Sequence, residues 1–143
     1  MSLKQEFDAL RRVPMFAEIE PAKLKLLAVM CQRVGFEPGS RLMQQGDLAD
    51  AAYLIIDGHA EVILETPNGP LIVATVGVNE IVRVLGVLGN APRAATVRAK
   101  DRLIALRISK EPFMRMVREF PTVAVSIMQD LAKRLHRSTA QHE

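Results

Sequence analysis

Between Pro38 and Ile108 the chain repeatedly breaks into short apolar runs punctuated by turn residues. Pro38-Gly39, Gln45-Gly46-Asp47, Asp57-Gly58 and Pro67-Asn68-Gly69-Pro70 each mark a reversal, because glycine admits left-handed backbone and proline or Asx residues preset turns. The runs between them are rich in β-branched residues. Ala52 to Ile56 and Ala60 to Leu64 read as strands around a tight hairpin turn at Asp57-Gly58. Leu71 to Val76 reads as another strand. Thr96 to Lys100 and Leu103 to Ile108 read as a further pair around Lys100-Asp101-Arg102. Short strands at this spacing, with a turn at each break, call for a sandwich or barrel.

The period changes on either side. Leu3, Phe7 and Leu10 have helical spacing ahead of Pro14, and Leu24, Leu27, Ala28 and Cys31 repeat that spacing after Pro21. After Ile108 the helical period returns. Ser109 is the expected N-cap, Glu111 favours the helix dipole, and Phe113, Met116 and Val117 share a face. Phe120-Pro121 ends that helix. A longer one follows, with Ala124, Ile127, Met128, Leu131 and Leu135 on one stripe and Lys133, Arg134 and Arg137 in its last turns. The stripe suits either cover for the strands or pairing with a second copy of the chain. Residues 138 to 143 are polar and expected to fray.

With 143 residues, 49% hydrophobic and 24% charged, the chain is long enough for one domain with a sizeable core. The net charge of +3 is too mild to demand a nucleic-acid partner. Cys31 is the single cysteine and is expected to be a buried thiol in a reducing, cytoplasmic setting. No apolar run approaches the ~20 residues of a membrane span, and the N-terminus lacks a signal-peptide core. His59, His136 and His142 are scattered without metal-ligand spacing, and Ser109 and Ser126 have no evident base partner. Neither a metal, a cofactor nor catalysis is expected. His59, beside a turn, is expected to be solvated.

The densest signal is Gly77 to Val97, GVNEIVRVLGVLGNAPRAATV. Asn90-Ala91-Pro92-Arg93-Ala94-Ala95-Thr96-Val97 sets one arginine among small residues between a turn and an apolar strand. A guanidinium offers a planar fork to phosphate oxygens, and small neighbours let a ligand approach the main chain. This stretch resembles the phosphate-binding cassette of the cyclic-nucleotide-binding domain family, the sensor of catabolite activators and protein kinase A regulatory subunits. The resemblance extends from about Leu10 to Leu135. It takes in Val13-Pro14-Met15-Phe16, Pro38-Gly39, Gln45-Gly46-Asp47, Tyr53-Leu54-Ile55-Ile56-Asp57-Gly58 and Ala60-Glu61-Val62 in the family's order.

The resemblance implies a mainly β fold: an eight-stranded antiparallel β-roll, or jelly roll, with N-terminal helices and two C-terminal helices. It places the domain at residues 10–138, with a helical extension at 1–9 and a tail at 139–143. It assigns Arg93 to the cyclic phosphate, together with backbone at Ala94 and Ala95, and Thr96 beside them. A short helix over Leu85, Gly86, Val87 and Leu88 would aim N–H groups at the same phosphate. Val62 and Val73 would form an apolar wall for ribose or base. Ala94 after the arginine, where threonine accompanies cGMP preference, leans toward cAMP. Signalling would run through movement of the C-terminal helices.

The chain departs from the family at Arg83-Val84, where Gly-Glu is usual. Val84 cannot accept the ribose 2′-hydroxyl, and losing a hydrogen bond to a charged group costs ~1.5–3 kcal/mol, roughly 10- to 150-fold in affinity. Arg83 adds a cation that could fill the pocket, meet a second anionic group or turn to solvent. Three readings stay open: a sensor that binds a cyclic nucleotide, a degenerate module for protein interaction or dimerisation through the C-terminal helix, and the sensor piece of a longer transcription regulator. No DNA-binding motif is expected within these 143 residues.

Overall fold

The computed structural model describes residues 3–46, 50–82 and 95–142, with backbone alone for 134, 135 and 137–142. The chain divides into two compact units, Met30–Pro112 and a helical unit built from Met1–Val29 with Phe113–Glu143.

The first unit is the β-roll. Its strands are β1 (Gln32–Phe36), β2 (Arg41–Met43), β3 (Ala51–Asp57), β4 (Ala60–Thr66), β5 (Gly69–Val76), β6 (Ile81–Val82), β7 (Thr96–Ala99) and β8 (Leu103–Ser109). They form two antiparallel four-stranded sheets, ordered β1-β8-β3-β6 and β2-β7-β4-β5. The eight-stranded roll implied by the sequence is the observed architecture.

The strand connections correct the sequence reading. β3 and β4 do not form a hairpin around Asp57-Gly58. β3 pairs with β8 and β6, whereas β4 pairs with β5 and β7. Likewise β7 and β8 lie in different sheets, so Lys100-Asp101-Arg102 is not a hairpin turn either. Both are corners where the chain crosses between sheets. Period-two alternation shows that a strand ends and another begins, but not whether the second returns beside the first. The one expected reversal that is a hairpin is β4–β5, closed at Thr66↔Gly69 across Pro67-Asn68.

Alternation places the core between the sheets. Ala51, Tyr53 and Ile55 of β3 and Leu103 and Ala105 of β8 face Ala60, Val97 and Ala99 of β4 and β7, all in one buried cluster. Phe36 and Tyr53 meet edge to face at 6.1 Å. The alanines leave little side-chain bulk between the layers, which suits a chain with only 4% aromatics.

In the helical unit, α1 (Leu3–Arg11) leads through a 3₁₀ turn (Pro14–Phe16) to α2 (Pro21–Met30), and α3 (Lys110–Glu119) leads to α4 (Pro121–His142). Phe16 and Phe113, both fully buried, meet edge to face at 6.3 Å. Helix α2 stops one residue short of Cys31, which is half-buried rather than buried as expected. Ser109 does directly precede α3, and its hydroxyl accepts a hydrogen bond from Arg107 Nη1 at 2.8 Å. The expected stripe on α4 is divided. Ile127 is buried together with Val123, whereas Met128 is 60% exposed.

Candidate ligand site

The chain leaves one sheet at the end of β6, Val82, and enters the other at the start of β7, Thr96. The segment joining them carries most of the sequence-predicted site. Arg83, Val84, Leu85, Gly86, Val87, Arg93 and Ala94 lie outside the described residues. The described frame shows how both ends of that segment are held.

The entry side is a tight turn. Gly77 N–H donates to Glu80 Oε2 at 2.6 Å, and Glu80 N–H donates to Gly77 O at 3.1 Å. Asn79 adopts φ +73°, a left-handed conformation that asparagine tolerates better than most residues. Its N–H donates to Ile55 O at 2.9 Å, and Ile55 N–H donates to Glu80 O at 3.0 Å, so the turn is sewn to β3.

The exit side is buried. Ala95 and Thr96 are each about 5% exposed or less. Thr96 Oγ1 accepts the Gln45 backbone N–H at 3.0 Å, while Gln45 Oε1 accepts the Glu65 N–H at 2.8 Å. Gln45 therefore ties the start of β7 to the end of β4. In the sequence Gln45 stands only as a turn residue. Nothing in the composition of a Gln-Gly turn reveals which strands its amide will bridge.

Val62 is half-buried against the roll core, opposite Val97 on β7 and Ala74 on β5. Val73 occupies a different place. The register steps from Val62↔Ala74 to Ile63↔Ile72, so Val73 is the extra residue of a β-bulge and is exposed. Alternation along β4 puts Leu64 on the face of Val62, and Leu71 is its cross-strand partner. Both are exposed. An apolar surface thus continues from the core along β4 and β5 on the inner face. Leu64 and Leu71 belong to no motif in the sequence, although the period of two from Val62 points to Leu64.

The two corners are locked together beside this frame. His59 N–H donates to Asp101 Oδ1 at 2.7 Å, the His59 ring Nδ1 lies 2.9 Å from Asp101 Oδ2, and Lys100 N–H donates to His59 O at 2.9 Å. Hydrogen bonds from the His59 side chain and backbone hold the Asp101 carboxyl below its ordinary pKa of 3.8. His59, expected to be a plain solvated histidine, is exposed but engaged.

A two-sheet roll whose chain crosses between the sheets at Val82–Thr96, and a family model for the cyclic nucleotide-binding domain matching residues 33–120, decide the assignment. The chain belongs to the cyclic nucleotide-binding domain family. The match covers more than half of the 143 residues and nearly all of the roll.

Relatives of the domain fall in several kinds of protein. It is 32% identical over 108 residues to a cAMP-dependent protein kinase regulatory subunit of Schizosaccharomyces pombe, covering 76% of this chain and 26% of the relative. It is 29% identical over 130 residues to an uncharacterized NTE family protein of Mycobacterium bovis, covering 91% of this chain and 22% of that one. The chain thus spans only about a quarter of the length of these curated relatives. Among solved structures, the catabolite activator protein of Thermus thermophilus superposes with a TM-score of 0.81 at 26% identity, over 90% of this chain and 61% of that one. The sensor domain of the transcriptional regulator DNR from Pseudomonas aeruginosa shares the fold with a TM-score of 0.86 at 21% identity, over 96% and 93% of the two chains.

Proposed function

We propose that the domain is a regulatory module that binds a cyclic nucleotide between the Val82–Thr96 segment and the inner face of β4 and β5. The observation that carries this reading is the apolar surface at Leu64 and Leu71, which continues inward to Val62 and lies on the strand pair that Gln45 ties to Thr96. Such a surface suits a ribose or base, while the anion needs a cation supplied from elsewhere. Arg93 is that cation, with backbone at Ala94 and Ala95 beside it and Leu85, Gly86 and Val87 supplying N–H groups. Thr96 acts by fixing the start of β7, and Val73 borders the ligand from the bulge. Ala94 favours cAMP over cGMP. No catalysis is assigned, the setting is cytoplasmic, and the signal is a shift of α3 and α4, which requires the ligand to favour one of two arrangements.

One sequence observation favours a second reading. Val84 cannot accept a ribose hydroxyl and Arg83 brings a second cation, so the module could keep the fold for protein contact without using cAMP. Calorimetric titration with cAMP and cGMP at moderate salt decides between the two. Saturable heat that disappears in Arg93→Ala supports the binding reading. No heat and no thermal shift at millimolar nucleotide sinks it. The double change Arg83→Gly with Val84→Glu should then raise affinity by roughly 10- to 150-fold if the ribose contact is what is missing.

A further inference from the structure

We infer that Gln45 is a positioning residue for the ligand site: it ends the β4–β7 ladder at Thr96 and so keeps the backbone ahead of Thr96 available to a ligand. This rests on the binding reading above, and it names a residue to which that reading gives no role beyond tying two strands. β4 outruns its partner. The β4–β7 register runs from Ala60↔Ala99 to Ile63↔Thr96, whereas β4 continues through Leu64 and Glu65 to Thr66. Two more residues in the same register would set position 94 opposite Glu65. An open strand N–H is a template for such an extension. The Glu65 N–H is not open. It donates to Gln45 Oε1 at 2.8 Å, while the Gln45 N–H donates to Thr96 Oγ1 at 3.0 Å. One residue thus holds both sides of the ladder's end. Its backbone is fixed on Thr96, and its side chain occupies the β4 donor that the next stretch of chain would take.

Two uses compete for the backbone at positions 94 and 95. An N–H carries one hydrogen, so a group committed to a strand ladder cannot also donate to an anion. A phosphate cradle needs main-chain N–H groups turned toward the ligand. Occupying the Glu65 donor settles that competition in favour of the ligand. Gln45 is placed to do so. It follows β2, which lies on the side of β7 away from β4, and Met43 at the end of β2 pairs with Val97. The chain therefore arrives beside the start of β7, and the length of a glutamine side chain carries its amide on to β4. The adjacent Gln44 shows that the residue type alone does not suffice. Its amide oxygen accepts from Arg41 Nη1 at 2.6 Å, a contact within its own segment.

Gln45→Met keeps the length of the side chain and removes the acceptor. Amide hydrogen exchange and calorimetric titration with cAMP, both on the full chain, test its effect. The position 94 amide should exchange roughly tenfold more slowly than in the parent as it joins the ladder, and cAMP affinity should fall roughly tenfold. Gln45→Glu retains an acceptor and should return the exchange to the parental rate. Gly39→Ala controls for a merely structural role. It perturbs the other end of β7, where the Gly39 N–H donates to Ala99 O at 2.8 Å, and should leave cAMP affinity unchanged. Parental exchange at position 94 in Gln45→Met overturns the inference. So does slowed exchange with parental affinity, or an equal loss of affinity in Gly39→Ala. A parent chain that takes up no cAMP refutes the binding reading instead. The ligand-free exchange then decides alone: slowing at position 94 in Gln45→Met, reversed in Gln45→Glu, upholds Gln45 as the block, and no slowing removes it.

Discussion

Replacing Gly58 with alanine isolates the physics that makes this chain a roll rather than a row of hairpins. Gly58 sits at the β3–β4 corner with φ +88°. A Cβ built there would lie 2.3 Å from the Arg102 carbonyl oxygen, 2.8 Å from Asp101 Oδ1 and 3.0 Å from the Leu103 Cα. Two of those atoms are backbone of the β7–β8 corner, so a rotamer change cannot relieve the contact. The left-handed backbone alone costs an L-residue ~1–2 kcal/mol. Forcing the two corners apart adds ~1–3 kcal/mol. The expected loss is therefore about 2–5 kcal/mol, a large share of the ~5–15 kcal/mol that holds a typical domain. At about 4 °C per kcal/mol for a chain of this size, the midpoint should fall by roughly 8–20 °C.

The control is Gly39→Ala, with φ +87° and nothing within 4 Å of the added Cβ, which should lose only the ~1–2 kcal/mol of backbone strain. Gly35→Ala, where the Cβ also meets nothing within 4 Å and φ is not positive, should be close to neutral. Urea denaturation followed by circular dichroism gives all three, with unchanged m-values as the check that one transition is being compared. If Gly58→Ala loses no more than Gly39→Ala, the close approach of the corners is not a stabilising feature and the reasoning fails.

Other expectations follow from the same interactions. Asp101→Asn should lower stability at neutral pH. Because the native carboxyl titrates below 3.8, its contribution is present above that value and disappears as pH falls through the depressed one. The gap between Asp101→Asn and the parent should thus close in acid, and a gap constant with pH would rule the clamp out. Phe113→Ala removes a fully buried ring that packs edge to face on Phe16, and should cost ~3–5 kcal/mol by denaturant titration. Thr96→Val keeps the shape but leaves the Gln45 N–H without its acceptor, for a loss of ~1–3 kcal/mol. If nucleotide binding is established, Leu64→Ala and Leu71→Ala should each weaken it, and unchanged affinity would place the base or ribose elsewhere.

Much of this protein is legible in the order of its residues. Period-two runs between Gly and Pro turns specify short strands, and helical spacing at either end specifies helices, because side-chain direction follows backbone geometry locally. The run from Asn90 to Val97 carries the resemblance to the family, because its residues, together with the order of the turns before them, can be matched without the fold. β1, β2 and β6 are not legible this way, since two to five residues give too little alternation to read. Which strands pair is another matter. Asp57-Gly58 carries the same local signal whether β4 turns back beside β3 or crosses to the other sheet. The crossing is decided by contacts more than 40 residues away in sequence, where Arg102 O and Asp101 occupy the space a side chain at 58 would need. The same holds for Gln45, which bridges Thr96 and Glu65 only because the roll brings β7 and β4 side by side, and for the bulge that sets Val73 apart from Val62. Local chemistry chose the elements; long-range packing chose their neighbours.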